Sequence, residues 1–386
     1  MNIPFHKPIL PDNVNKILSD SVSSGWITTG PKAKLFENQI SKYLLANNVV
    51  ALNSCTAALH LALAAKGLGP NDKFIAPTYT FVSTVEVGEY LGATPILVDS
   101  DLQTYNLDLN QVEDKLKIHP EVRAIIPVHF AGQIVDMDKI IYLADKYNLF
   151  ILEDAAHSFE TISNNKIFPI NNHAIALSFY ANKNITTGGE GGALVTNDED
   201  LHNKVRKLSL HGMSKDGWKR FKSNGKWAYD ISEMGYKYNM TDIAASFGID
   251  QLKNIDLWHK KRKVIAKEYE TGLDIIEGFI LPKHFNGDIH AWHLYVIRII
   301  PKLWRISRNE LIKKINDQGI GTSVHYIPIH MHSYYVNKYG FKPDDYPLAK
   351  EASETVISLP IYPRMKDIQI KYIIEKLKIL WDKYKV

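Results

Sequence analysis

The chain has 386 residues, 45% of them hydrophobic, and 46 Lys+Arg against 42 Asp+Glu give a formal charge of +4. It is long enough for two lobes and apolar enough for a substantial core, which excludes a disordered chain. The cationic excess is spread without a dense Lys/Arg block, so neither nucleic-acid nor anionic-membrane binding is expected, although it could help attract a phosphorylated substrate. A single cysteine, Cys55, rules out an intramolecular disulfide and fits a reducing cytoplasm. The start, Met1-Asn2-Ile3-Pro4-Phe5-His6-Lys7-Pro8, lacks the apolar core of a signal peptide. No apolar run reaches the ~18 residues of a spanning helix. A soluble, cytoplasmic protein without a metal site is expected.

Short β-branched runs alternate with helical patterns over the first two thirds, which predicts an α/β fold with helices wrapped on a mostly parallel sheet. Strands are expected at Val49–Leu52, Lys73–Ala76, Pro95–Val98, Ala124–Val128, Leu149–Leu152, Ile175–Phe179 and Ala193–Thr196. Helices such as Ala57–Lys66 and Met137–Tyr147 lie between them. From about Gln251 the alternation ceases. A Lys-rich helical stretch runs to Gly272, followed by an extended run at His293–Ile300 and a helix at Asn309–Gly319. A second extended run, Thr322–Ile327, and an amphipathic helix, Asp367–Tyr384, complete the chain. This predicts a large lobe over residues 1–250 and a smaller α+β lobe over 251–386.

The residues that carry chemistry lie at expected strand ends, where open α/β sheets bind ligands. After the first strand come Ser54, Cys55, Thr56 and Ala57, opening an Ala/Leu-rich helix. Thr56 and the amide of Ala57 are candidate phosphate ligands at that helix start; simple N-capping would leave the same sequence. Phe81 could stack on an aromatic ring, with core packing as the alternative. Asp154 and His157 stand in Leu152-Glu153-Asp154-Ala155-Ala156-His157. A buried carboxylate needs a charged partner, and a pyridinium nitrogen is a good one; a turn acid and an ordinary surface histidine are the alternatives.

Lys183 stands in a glycine-punctuated loop, Ser178-Phe179-Tyr180-Ala181-Asn182-Lys183 through Gly188-Gly189-Glu190-Gly191-Gly192. A free lysine amine has a pKa of about 10.4 and is almost wholly protonated near neutral pH. A catalytic lysine needs that lowered, or needs its amine bound as an imine. Together Asp154 and Lys183 form the pair that pyridoxal 5′-phosphate requires: an amine to hold its aldehyde and an anion to keep its ring nitrogen protonated. Ser178 could add a hydroxyl to the phosphate.

On these strings the chain resembles the DegT/DnrJ/EryC1/StrS family of pyridoxal phosphate-dependent nucleotide-sugar aminotransferases. The likeness extends nearly end to end, through Ser24–Pro31, Glu153–His157, the lysine string, Gly235–Asp242, Ala291–Tyr295 and Val324–His330. The resemblance implies an aspartate-aminotransferase-like fold and a homodimer with active sites at the interface. It carries Lys183 over as the Schiff-base lysine, Asp154 as pyridine partner and His157 beside the ring. Thr56, Ala57 and Ser178 fall on phosphate positions and Phe81 on the stacking position. Lys237 or Asn239 would reach the neighbouring subunit's phosphate, and Thr28, Thr29, His325 and His330 match positions near the sugar and its diphosphate.

The reaction so implied moves an amino group from L-glutamate to a nucleotide-linked 4-keto sugar by a ping-pong route. A sugar dehydratase on the same scaffold would carry histidine where Lys183 stands. Transfer to the third carbon, or to a keto-inositol, remains an alternative. A non-catalytic scaffold relative would have no need of Lys183, Asp154 and the phosphate loop together.

Overall fold

Seven short strands form one sheet: β1 (Asn48–Leu52), β2 (Lys73–Pro77), β3 (Thr94–Val98), β4 (Val122–Ile125), β5 (Phe150–Asp154), β6 (His173–Ser178) and β7 (Gly192–Thr196). The computed structural model describes residues 1–162, 173–213, 230–283 and 290–386. The strand order is β1-β7-β6-β5-β4-β2-β3. All run parallel except β7, which is antiparallel to both its neighbours. The strands are almost continuously apolar because helices cover both faces. On one face the helix Cys55–Ala65, apolar all round, is buried on nearly every side and joins Leu52, Ala76 and Leu152 in a core. On the other, Phe36 and Ile40 pack with Leu177, Phe179 and Val195.

The α/β class expected from the alternation holds, and each expected strand of the large sheet is present. The fourth ends earlier than its β-branched run, because Pro127 has no N–H with which to continue the ladder. Its carbonyl instead accepts from Asp154 N–H at 2.9 Å.

A second, antiparallel sheet comprises β8 (Phe279–Ile280), β9 (Tyr295–Ile299) and β10 (Val356–Leu359), in the order β10-β9-β8. The helices Ile255–Leu273, Arg308–Asp317 and Asp367–Tyr384 enclose a separate core with Ile265, Tyr269, Ile297, Leu311 and Leu377, to which the chain start contributes Ile3. The extended run expected at Thr322–Ile327 is not a strand. Only Ser323 pairs, with Ser358. The rest is held by side-chain bonds that replace a ladder: His325 O accepts from Tyr79 Oη, and the His325 ring bonds Ser358 Oγ at 2.8 Å. Among the described residues no helix is long and apolar enough to cross a membrane.

One side chain joins two distant motifs. The helix Pro31–Leu44 has Gly30 at its N-cap and so no capping side chain of its own. Asp242, buried at the start of the helix Asp242–Leu252, caps it instead. Its carboxylate accepts from the backbone N–H groups of Gly30, Ala33 and Lys32 at 2.7, 2.9 and 3.0 Å. Asp242→Ala leaves those donors unpaired and should cost about 2–3 kcal/mol, read as a lower urea midpoint. A midpoint unchanged from the native protein would show that the cap carries no stability.

Candidate active site

A cavity of about 460 Å³ opens at the carboxyl edge of the large sheet, where the six parallel strands end and β7 begins. Ser54 and Thr56 reach it from beyond β1, Thr80 and Phe81 from beyond β2, and Asp154 and His157 from the end of β5. Ser178 ends β6 and Lys183 follows it, while His293, His325 and Tyr326 come from the second half of the chain.

The lysine loop is a hairpin of backbone bonds. Phe179 N–H donates to Gly191 O and Ala181 N–H to Gly189 O, both at 2.8 Å, and Lys183 N–H donates to Tyr180 O at 2.9 Å. Gly188 and Gly189 have φ of 91° and 144°, a region that side chains disfavour. Gly192 is required by contact: a Cβ there would lie 2.3 Å from the carbonyl carbon of Ser54. The glycines therefore let the lysine loop and the Ser54–Thr56 turn lie against each other. Burial pushes the Lys183 amine down to about 8, with Cys55 and Asp154 pulling the other way.

Asp154 is buried and doubly held. Its Oδ2 accepts from Thr84 Oγ1 at 2.7 Å and its Oδ1 from Ala156 N–H at 3.2 Å. Its neighbour Glu153 is clamped between the ring nitrogens of His129 and His173. Burial alone would raise the Glu153 pKa, but the two histidines outweigh it and hold it down to about 2.

His157 has a defined proton. Its Nδ1 accepts from Ala131 N–H at 3.2 Å, so the neutral ring carries hydrogen on Nε2. That nitrogen lies 3.1 Å from Tyr326 Oη and donates to it, which frees the tyrosine's own proton for the cavity. Burial first, then the charges of Lys183 and His325, push His157 well below its ordinary value. His293, its ring centre 4.3 Å from that of His157, is pushed down by burial and by His157 and Lys183. Burial and Lys183 bring His325 down to about 4. The lysine thus faces a wall of neutral imidazoles.

The cavity gathers Thr56, Phe81, Asp154, His157, Ser178, Lys183 and His325. Phe81 is 57% exposed, so it is not a core aromatic. Ala57 lies outside that lining: it is buried and its N–H donates to Ser54 Oγ at 3.0 Å. His330 also stands outside the lining. It is fully buried, with Nδ1 accepting from Thr78 Oγ1 at 2.7 Å and Nε2 donating to Pro343 O at 3.2 Å, and it serves as a core histidine behind the site.

Thr28, Thr29, Lys237 and Asn239 are also absent from this lining, yet they are brought to one another. Asn239 Nδ2 donates to Thr29 Oγ1 and Lys237 Nζ to Asn239 Oδ1, both at 2.7 Å. Thr28 O accepts from Asp242 N–H at 3.0 Å. Sequence reasoning missed Thr84, His293 and Tyr326. The last two stand within matched strings, beside Trp292 and His325, and that adjacency was the available signal.

A model of the DegT/DnrJ/EryC1/StrS aminotransferase family matches residues 9–378, and the chain belongs to that family. The spore coat polysaccharide biosynthesis protein SpsC of Bacillus subtilis (strain 168) is 43% identical over 377 residues, covering 97% of this chain and 96% of that protein. The solved structure of Streptococcus pneumoniae Spr1654 in its PMP form superposes with a TM-score of 0.91 at 32% identity, over 99% of this chain and 100% of that one. Helicobacter pylori PseC, an aminotransferase involved in the biosynthesis of pseudoaminic acid, gives 0.87 at 25% identity over 99% and 100% of the two chains. The protein is a sugar aminotransferase that uses pyridoxal 5′-phosphate. The cavity fits that group: an amine of lowered basicity, a fixed carboxylate, an exposed aromatic face and the hydroxyls of Ser54, Thr56 and Ser178 share one space.

In cofactor-free protein, acylation of the Lys183 amine should titrate with a midpoint near 8. Asp154→Asn removes an anion that favours the charged amine, so the midpoint should fall. A midpoint at the free-lysine value of about 10.4 would show that the amine is solvated.

Proposed function

We propose that the protein moves an amino group from L-glutamate to a nucleotide-linked 4-keto sugar, by a ping-pong route in which Lys183 serves both halves. The acceptor class is a UDP- or dTDP-4-keto-6-deoxyhexose or a UDP-4-keto-pentose; the enzyme acts in the cytoplasm, and its product feeds a surface polysaccharide or a glycosylated product. The observation that carries this reading is the shared cavity of Lys183 and Asp154. The relationship to SpsC supports the polysaccharide destination.

When bound, pyridoxal phosphate supplies an aldehyde for amine exchange and an electron-poor ring that stabilises negative charge on the adjacent carbon. Lys183 would hold it, Asp154 would keep its ring nitrogen protonated, and Thr84 would hold the carboxylate in place. Ser54, Thr56 and Ser178 would offer hydroxyls to the phosphate, and Phe81 would cover the ring. Lys183 Nζ removes the proton from the donor's α-carbon and, in the second half, returns one to the sugar carbon that gains nitrogen. Neutral His157 fixes Tyr326, whose free hydroxyl proton can be donated to an oxygen in the cavity.

A homodimer completes the site in this reading. The Thr28–Thr29 and Lys237–Asn239 segments are bonded into one unit outside the lining of their own cavity. Nearby Trp26, Ile231 and Met234 are exposed, as apolar groups that a second copy covers would be. That unit would bring Lys237 or Asn239 to the partner's phosphate, and Thr28 and Thr29 to its sugar.

Lys183→Ala and Lys183→Arg should lower turnover by at least about 10³-fold with the fold intact. Retained multiple-turnover transamination would overturn the lysine's role. Asp154→Asn should keep the cofactor bound and slow proton transfer by orders of magnitude; native rates would remove the electron-sink role. Mixing the amine form of the cofactor-loaded protein with UDP-, dTDP- and GDP-keto sugars should restore the aldehyde-form absorbance with a 4-keto acceptor. Restoration only with a 3-keto sugar or a keto-inositol would move the assignment there.

A further inference from the structure

The N-terminal arm reaches the back of the lysine loop. Ile3 N–H donates to Gly319 O, and Ile3 O accepts from Gly321 N–H, both at 2.8 Å. Farther on, Ile9 O accepts from Gln251 Nε2 at 2.8 Å. Between these anchors Phe5 lies against His325, ring centres 5.6 Å apart. His6 shares one small space with Ala181, two residues before Lys183. Behind the loop His6, Ala181, Lys183, Asn184 and Arg262 line a second cavity with about 10 Å³ of room for a water centre, the space of a single molecule.

Two buried polar atoms of opposite character around this cavity have no protein partner: His6 Nε2 and Arg262 Nε. Arg262 is 1% exposed and gives Nη1 to the carbonyls of Trp292 and Ile361 at 3.3 and 2.9 Å. Its Nε–H can only donate. His6 is neutral near pH 7, because burial, then the charges of Arg262 and Lys183, push it down to about 4. A neutral ring with its hydrogen on Nδ1 offers a lone pair at Nε2. A donor and an acceptor lining one water-sized space can be satisfied together by one molecule.

We propose that one ordered water accepts from Arg262 Nε–H and donates to His6 Nε2, and that through it the N-terminal arm positions the Lys183 loop. On the far side of the lysine, Asn184 is already fixed: its Nδ2 donates to Glu160 at 2.7 Å and to Ala291 O at 3.2 Å. The arm supplies the matching restraint on the near side, at Ala181. His6 is a positioning residue, and its importance to turnover rests on the reading of Lys183 as the catalytic amine.

The test is a crystal structure of the holoenzyme that resolves ordered water, together with hydrogen–deuterium exchange over residues 179–187. One water within hydrogen-bond distance of both nitrogens is expected; an empty cavity overturns the proposal. His6→Leu should raise exchange in that segment about tenfold or more, and lower kcat with little change in the donor's KM. His6→Gln, which keeps a donor and an acceptor, should restore protection to within about twofold. Native exchange in His6→Leu, or no rescue by His6→Gln, overturns it. Density and exchange are read without turnover, so they succeed or fail separately from the assigned reaction.

Discussion

The site depends on taking one amine out of water without leaving it an isolated charge. Lys183 faces a cavity whose other nitrogen bases, His157, His293 and His325, are all kept neutral by burial and by the lysine itself. Asp154, reaching the same space, is a fixed anion held by Thr84 and a backbone amide. Desolvation pulls the amine towards the neutral form while the carboxylate limits how far it goes. The balance leaves it able to exchange a proton near neutral pH, which is what a base that must later act as an acid requires.

Close backbone contact gives that balance its geometry. Gly192 has no Cβ, so β7 can lie against the Ser54–Cys55 turn and bring the hydroxyl-rich helix start beside the lysine loop. Asp242 does related work at longer range, drawing the Gly30 turn onto the Met240–Asp242 segment through three backbone amides. Both devices join pieces of chain that are far apart in sequence, and neither adds a reactive group.

The large sheet was legible because buried parallel strands are short, apolar and β-branched. The helices Met137–Tyr147 and Asp367–Tyr384 were legible to the residue, the first because Asp136 caps its start and Asn148 turns left-handed at its end. Lys183, Asp154 and the Ser54–Thr56 turn were visible as strings at strand ends. Thr322–Ile327 misled because its β-branched character is used in a loop tied by side chains. Thr84 could not be read, since its partner Asp154 is 70 positions away. Tyr326 and His293 likewise meet partners 169 and 109 positions distant. His330 shared a string with His325, yet one ring opens onto the cavity and the other is spent on Thr78 and Pro343.

The reversed direction of β7 has a consequence for how this scaffold can vary. Because β6 leaves and β7 returns at the same edge, with Ser178 opposite Gly192, the reactive nitrogen's place is counted off from a paired ladder on both sides. Lengthening the segment between Ser178 and Lys183 by one residue would shift the lysine while the sheet beneath stayed in register. The count of residues from Ser178 to the lysine therefore acts as a ruler laid against the ladder.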